Sequence, residues 1–238
     1  MKANEASNLV CELQVLLAKA LDSIAGKTTA GEVSYLVRIA SYVNKVAAGY
    51  SELRRRRMTY ASKIMIRPMM EAAAAAVAAV TEPTFLYQKM CSEYKEEKKL
   101  LTEFCDALKK SKQPTQGAQQ LLINLEKSWK HFDQQFARTH PHVTKNSCKP
   151  TFLDVLRAAG EEISWYAQYR LYCQFTHGTL RAASGALDAP TDATDDLVVA
   201  RFLLTLLGHM KKHAPVEVPD LTPLLRRAND LMRQPQRN

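Results

Sequence analysis

The chain is predicted to be all-α, a bundle of about eight or nine helices in one domain. Three observations lead there. Apolar residues recur at three- and four-residue steps along most of the 238 residues, no stretch alternates apolar with polar as a strand would, and only eight glycines and ten prolines interrupt it. The prolines, apart from Pro68, lie between the periodic segments, as joints between long helices should.

The first segment, about 4–25, sets Leu9, Leu13, Leu16, Leu17, Leu21 and Ile24 along one face, and Gly26 closes it as a C-terminal cap. A second, from about 29 to Gly49, carries Val33, Leu36, Ile39, Ala40, Val43 and Ala47 inward. Arg54, Arg55, Arg56 and Arg57 then form a joint or the opening turn of a third helix, about 58–80. That helix holds an alanine run with the highest helix propensity in the chain, so a neighbour can pack close to it. Pro68 lacks the amide that would pair with Ile64, and a kink or a fresh helix start is expected near Arg67.

Glu82-Pro83 opens a fourth helix, about 83–111, and Pro114 and Gly117 precede a fifth, about 116–138. The basic loop THPHVTKNSCKP leads to a short sixth helix, TFLDVLRAA, which Thr151 can cap and Gly160 ends. A seventh runs from Glu161 to about Leu187 and is rich in aromatics: Trp165, Tyr166, Tyr169 and Tyr172. Two more, about 193–212 and 220–233, finish the chain.

Composition narrows the function classes. The N-terminus has no apolar core of a secretory signal, and the longest uncharged apolar run, Ala72–Val80, is far below the ~20 residues of a membrane span. Five scattered cysteines without a C-x-x-C argue for a reducing compartment, so a soluble, cytoplasmic protein without a membrane partner is expected. The net charge of +9 pulls mildly toward anionic partners. His140, His142 and Cys148 share a loop but fit no zinc spacing, and there is no phosphate-cradling glycine loop, G-x-S-x-G or H-E-x-x-H, so neither metal nor cofactor is expected. His131, His209 and His213 read as ordinary surface positions.

Two groups of residues invite chemistry. Arg67 and Glu71, four apart in apolar surroundings, can pair with each other and need a partner from another helix, for which Tyr169, Arg170 and His177 are the candidates. Arg170 and His177 return to nearly one face of a helix. A guanidinium and an imidazole there can hold a phosphate and move a proton. The helix itself objects: Arg170 leans away from His177, and the two Cα atoms are about 10 Å apart along the axis. Either Gly178 loosens the helix or a second chain supplies the missing group. If the site is catalytic, His177 serves as general base or acid, Arg170 stabilises phosphate charge, Glu71 orients the imidazole and Arg67 holds Glu71, with Tyr169 beside them. The alternative is a satisfied interhelical cluster that only fixes helix register. The second group, Arg54, Arg55, Arg56, Arg57 and Lys63, is either an RNA-contacting patch or a solvated helix end. No aromatics alternate with these arginines, so base stacking is not indicated.

Tyr60-Ala61-Ser62 through IRPMMEA, then TFLDVLRAAG, then a tyrosine-rich helix leading to THG, together resemble a bacterial domain-of-unknown-function family, number 5677, over about residues 30–190. The resemblance implies an all-helical core with polar positions at Arg67, Glu71, Tyr169 and His177, and leaves 191–238 as a helical C-terminal extension. Arg170, six intervening residues and His177 are also similar to the signature of the HEPN superfamily of helical ribonucleases and RNA-binding domains. That second resemblance implies RNA as partner, metal-independent cleavage of a defence or toxin kind, and a site built at a homodimer interface. A non-enzymatic interaction protein, or a bundle that holds a small molecule beside its alanine-lined helix, are the competing readings.

Overall fold

The computed structural model describes residues 2–27, 31–145, 149–160, 162–176 and 192–233. Among them the fold is all-α, as expected, with nine helices. These are α1 (Lys2–Ile24), α2 (Gly31–Arg55), α3 (Thr59–Thr81), α4 (Pro83–Lys110), α5 (Gln116–Thr139), α6 (Phe152–Ala158), α7 (Glu162–Thr176), α8 (Asp192–His213) and α9 (Thr222–Arg233). They gather into two compact units, residues 1–81 with 152–238, and residues 82–151.

In the first unit α3 is the central rod, packed by α2, α6, α7 and α8, while α1 lies against α2, α8 and α9. Its alanines explain the crowding. Ala73 through Ala79 are all buried, and short side chains let several helix axes approach at once. By length and composition α3 would also suit a bilayer, but here its apolar surface is spent on neighbouring helices. No fresh start occurs at Pro68: the helix runs unbroken from Thr59 to Thr81. Fully buried Ile66, Met69 and Met70 flank the proline, and their packing outweighs the hydrogen bond the ring removes.

The four-arginine run does not open α3; it ends α2. Arg57 takes a left-handed conformation (φ 59°), its amide bonds Arg54 O at 2.9 Å, and the Met58 amide reaches back to Leu53 O at 2.9 Å. That pair of bonds is a Schellman cap, a position where glycine is usually found. An arginine there bears a Cβ penalty.

Polar groups cross the middle of this unit in a double clasp. Lys63 of α3 is 3% exposed and forms an ion pair with Asp195 of α8, which is fully buried and also accepts a 2.7 Å hydrogen bond from the Tyr172 hydroxyl of α7. The adjacent Asp196 accepts a 2.7 Å bond from Tyr50 of α2 and two longer ones, 3.4 Å each, from Arg54 Nε and Nη2. Burial raises the Asp195 carboxyl, against the pull of Lys63 and the Tyr172 bond, and the same burial pushes both phenols far up. Two neighbouring carboxylates thus hold four helices in register.

The second unit is a helical hairpin. Tyr87 meets Phe136, Tyr94 stacks on Trp129 at 4.9 Å, and Lys98 pairs with Glu126 at 2.8 Å, so numbers rise on α4 as they fall on α5, and the helices are antiparallel. Tyr87, Cys91 and Phe136 are its buried core, with Trp129, Phe132 and Val143 packed around them. Asp133 completes it by accepting from the Tyr87 hydroxyl at 3.0 Å and from Lys145 at 2.6 Å, bonds that hold its carboxyl below the usual range.

Two stability measurements probe these assignments. Lys63→Met strands Asp195 in the core and is expected to cost about 3–5 kcal/mol in urea unfolding, whereas Lys63→Met with Asp195→Leu recovers about 2 kcal/mol of that loss. What remains, about 1–3 kcal/mol, reflects the Tyr172 hydroxyl left without an acceptor. Arg57→Gly should raise stability by about 0.5–1 kcal/mol, because the left-handed cap no longer strains a Cβ; a loss of stability would rule that cap out.

Candidate functional site

The expected pairing on α3 is present. Arg67 Nε donates to Glu71 Oε1 at 2.9 Å, and the side chains are 18% and 41% exposed, so the pair lies at the rim of the unit and solvent reaches it. α7 crosses here. Tyr169 accepts a 3.3 Å hydrogen bond from Arg67 Nη2, and the guanidinium lies 5.3 Å from its ring centroid. Phe152 of α6 packs against that ring, with centroids 4.1 Å apart.

Electrostatics keep both groups in donor form. Burial pulls the Arg67 guanidinium down, but the hydrogen bond and charge of Glu71, with Cys173 and Tyr169 behind, more than compensate and raise it. Burial, then the hydrogen bond and charge of Cys173, then the charge of Glu71, push the Tyr169 phenol up to about 12 against the pull of Arg67. The Tyr169 hydroxyl is thus engaged by Arg67 and Cys173, and the positive charge of Arg67, with Arg170 exposed on α7, is what an anion would meet at this rim. His177 lies outside the described residues.

The basic patch is smaller than the sequence implied. Lys63 is buried on Asp195, and the Arg54 side chain, 13% exposed, is turned onto Asp196, so neither is available to a phosphate on the surface. Arg55, Arg56 and Arg57 remain exposed at the corner between α2 and α3. Glu52 accepts from Arg55 at 2.9 and 2.8 Å and from Arg56 at 2.5 Å, and those bonds, Arg55's first, hold its carboxyl near about 2. Tyr60, on the first turn of α3, ties this corner to α7. Its hydroxyl donates to Phe175 O at 3.0 Å, and its ring packs edge-on to Phe175 at 5.9 Å. Phe175 stands two residues before His177 in the sequence.

Asp195, Asp196, Tyr50 and Cys173 were not singled out from sequence. One signal was available for the carboxylates. Lys63 shares a helical face with Ile66 and Met70, both fully buried, so it had to be a core cation in need of an acid. His209 is also not the surface residue expected, since it is half-buried and its Nδ1 is shut off from solvent. His140 stacks on Phe136 at 4.7 Å. Among the described residues no three His, Cys, Asp or Glu side chains gather as metal ligands would.

Compared with known proteins, the chain significantly matches no curated protein and no solved structure. A family model matches residues 33–194, which takes in α2 to α7 and with them every residue of the Arg67–Glu71–Tyr169 cluster, the arginine corner and His177. The chain belongs to that family, described as a family of unknown function (DUF5677).

Proposed function

We propose that the corner between α2 and α3, together with the exposed side of α7, is an RNA-binding surface, and that the protein is a metal-independent ribonuclease of the defence or toxin kind acting in a bacterial cytoplasm. The observation that carries this reading is the Tyr60–Phe175 contact, which ties the first turn of α3, three residues after Arg57, to the last turn of α7, two residues before His177 in the sequence. Arg55, Arg56 and Arg57 supply sequence-independent attraction for phosphates, and the net charge of +9 adds a favourable field. Arg170 then serves the scissile phosphate. His177 takes the proton from the ribose 2′-hydroxyl as that oxygen attacks phosphorus, or returns one to the departing 5′-oxygen. The Arg67–Glu71–Tyr169 cluster positions α7 against α3. Seven residues of undistorted helix would hold Arg170 and His177 about 10 Å apart, so this reading calls for a site completed across a homodimer.

A non-enzymatic interaction protein is the second reading, and the double clasp favours it: Lys63 and Arg54, two of the cations first assigned to RNA, serve packing instead. The two are separated by expressing wild type and His177→Ala and following growth and RNA integrity. Catalysis requires toxicity and RNA loss in the wild type that vanish in a folded variant; intact RNA in both leaves the interaction reading. Binding is tested separately. Replacing Arg55, Arg56 and Arg57 with alanine should flatten the dependence of log affinity on log salt by about 2 for single-stranded RNA, roughly 0.7 for each phosphate no longer neutralised. An unchanged slope removes the corner from the interface.

The role of Tyr169 has its own readout. Tyr169→Phe keeps the ring against Phe152 and under Arg67 but removes the hydroxyl's bonds to Arg67 and Cys173, so unfolding should shift by about 1–3 kcal/mol, roughly 0.5–1.5 for each bond. A larger loss, measured in urea, would mean that this hydroxyl holds more of α7 than its bonds to Arg67 and Cys173.

A further inference from the structure

The far end of the α4–α5 hairpin carries more apolar surface than the hairpin itself can cover. None of the eight leucine, isoleucine and phenylalanine side chains between residues 100 and 125 is buried, and the buried seam there consists of the small Cys105 and Ala118. Leu100 is 65% exposed, Phe104 53% and Leu121 54%. On α4 the seam runs through Tyr94, which stacks on Trp129, and continues at seven-residue steps to Leu101 and Leu108. Beside it lies a second stripe. Glu93, Glu97, Leu100, Phe104 and Ala107 recur at four- and three-residue steps, and all five are exposed. An apolar stripe next to the seam is what a helix carries when a further neighbour packs on it. On α5, Leu121 and Ile123 stand on either side of the seam residue Leu122, so one of them extends the Leu100 and Phe104 face across the hairpin.

We propose that this face is where two copies of the chain meet, α4 antiparallel to the partner's α4, so that two hairpins close into a four-helix bundle. Charge identifies the occupant. Acids come first along the stripe, Glu93 and Glu97, and bases end it, Lys110 in the last turn of α4 and Lys112 just beyond. A second α4 related by a two-fold axis near Thr102 sets Leu100 against the partner's Phe104 and brings Glu93 and Glu97 to the partner's Lys110 and Lys112. A parallel copy would set acid on acid and base on base. An anionic polymer or lipid surface would meet the acidic end together with the basic one, whereas the antiparallel copy matches both. The pairing does not rest on the ribonuclease reading, since no residue assigned to RNA lies in the hairpin unit, residues 82–151.

Analytical ultracentrifugation of the full chain over a concentration series tests this, with dimerisation expected at a dissociation constant of about 100 μM or tighter, the range of a small, partly polar contact. Leu100→Glu with Phe104→Glu, both at exposed positions, should weaken the dimer roughly tenfold or more while circular dichroism keeps the wild-type helicity. Exchange of charges fixes the orientation. Glu93→Lys with Glu97→Lys sets base on base, and Lys110→Glu with Lys112→Glu sets acid on acid, so each variant alone should dimerise about tenfold more weakly than wild type. An equimolar mixture of the two should recover the wild-type affinity as a mixed pair, because each acid again meets a base. A monomeric wild type overturns the proposal together with the dimer that the ribonuclease reading calls for. A dimer indifferent to the Leu100 and Phe104 substitutions overturns this face alone, and a mixture no tighter than either charge variant overturns the antiparallel arrangement.

Discussion

Two consecutive carboxylates at the start of α8 are the constraint on which the first unit is built. Asp195 and Asp196 are both buried, and each costs several kcal/mol to remove from water unless met by opposite charge and hydrogen bonds. Lys63 and Tyr172 meet one, Arg54 and Tyr50 the other. Because these four come from α3, α7 and α2, no helix can rotate or slide by a residue without stranding a charge. Apolar packing around the alanines of α3 is permissive by comparison. Small side chains fit several registers, and the clasp selects one.

This explains why two of the five conspicuous cations are unavailable for function. A cation on a helical face is a surface feature only when that face is polar, and Lys63 stands among Ile66, Met69 and Met70. Arg54 is the inward member of a run that continues around the end of α2, so one helical turn divides four like residues into one structural and three exposed positions. What remains outside is compact. Arg55 to Arg57 occupy the corner, and Tyr60 joins that corner to the last turns of α7.

The helices themselves were legible because their periodic apolar faces are long: α1, α3, α4 and α5 begin and end within about two residues of the sequence expectation, the scatter normal for helix ends. α2 was underestimated. Gly49 looked like its end, yet Tyr50, 1% exposed, continues the buried face, and the chain turns only at Arg57, a residue whose left-handed conformation nothing local encodes. Arg67–Glu71 could be read because the interaction is four residues long and local. The clasp could not, since Lys63 and Asp195 are 132 residues apart and an Asp pair near a helix start reads first as a complement to the helix dipole. Local spacing reveals pairs within a helix, but the partner of a buried charge is fixed by topology.

The same reasoning separates the two polar clusters by what each can still do. In the clasp every charged group is sealed and matched, so altering it changes stability and little else. Arg67, Glu71 and Tyr169 lie at the rim, with Glu71 41% exposed and the phenol held in its protonated form up to about pH 12. Their charges remain in contact with water and with whatever approaches α7. A site that must receive a ligand needs side chains held in place yet within reach of solvent, and here Phe152 steadies the Tyr169 ring while Glu71 is 41% exposed. On that ground the rim of α3 and α7, rather than the deeper and stronger network behind it, is where recognition by this family's fold is to be sought.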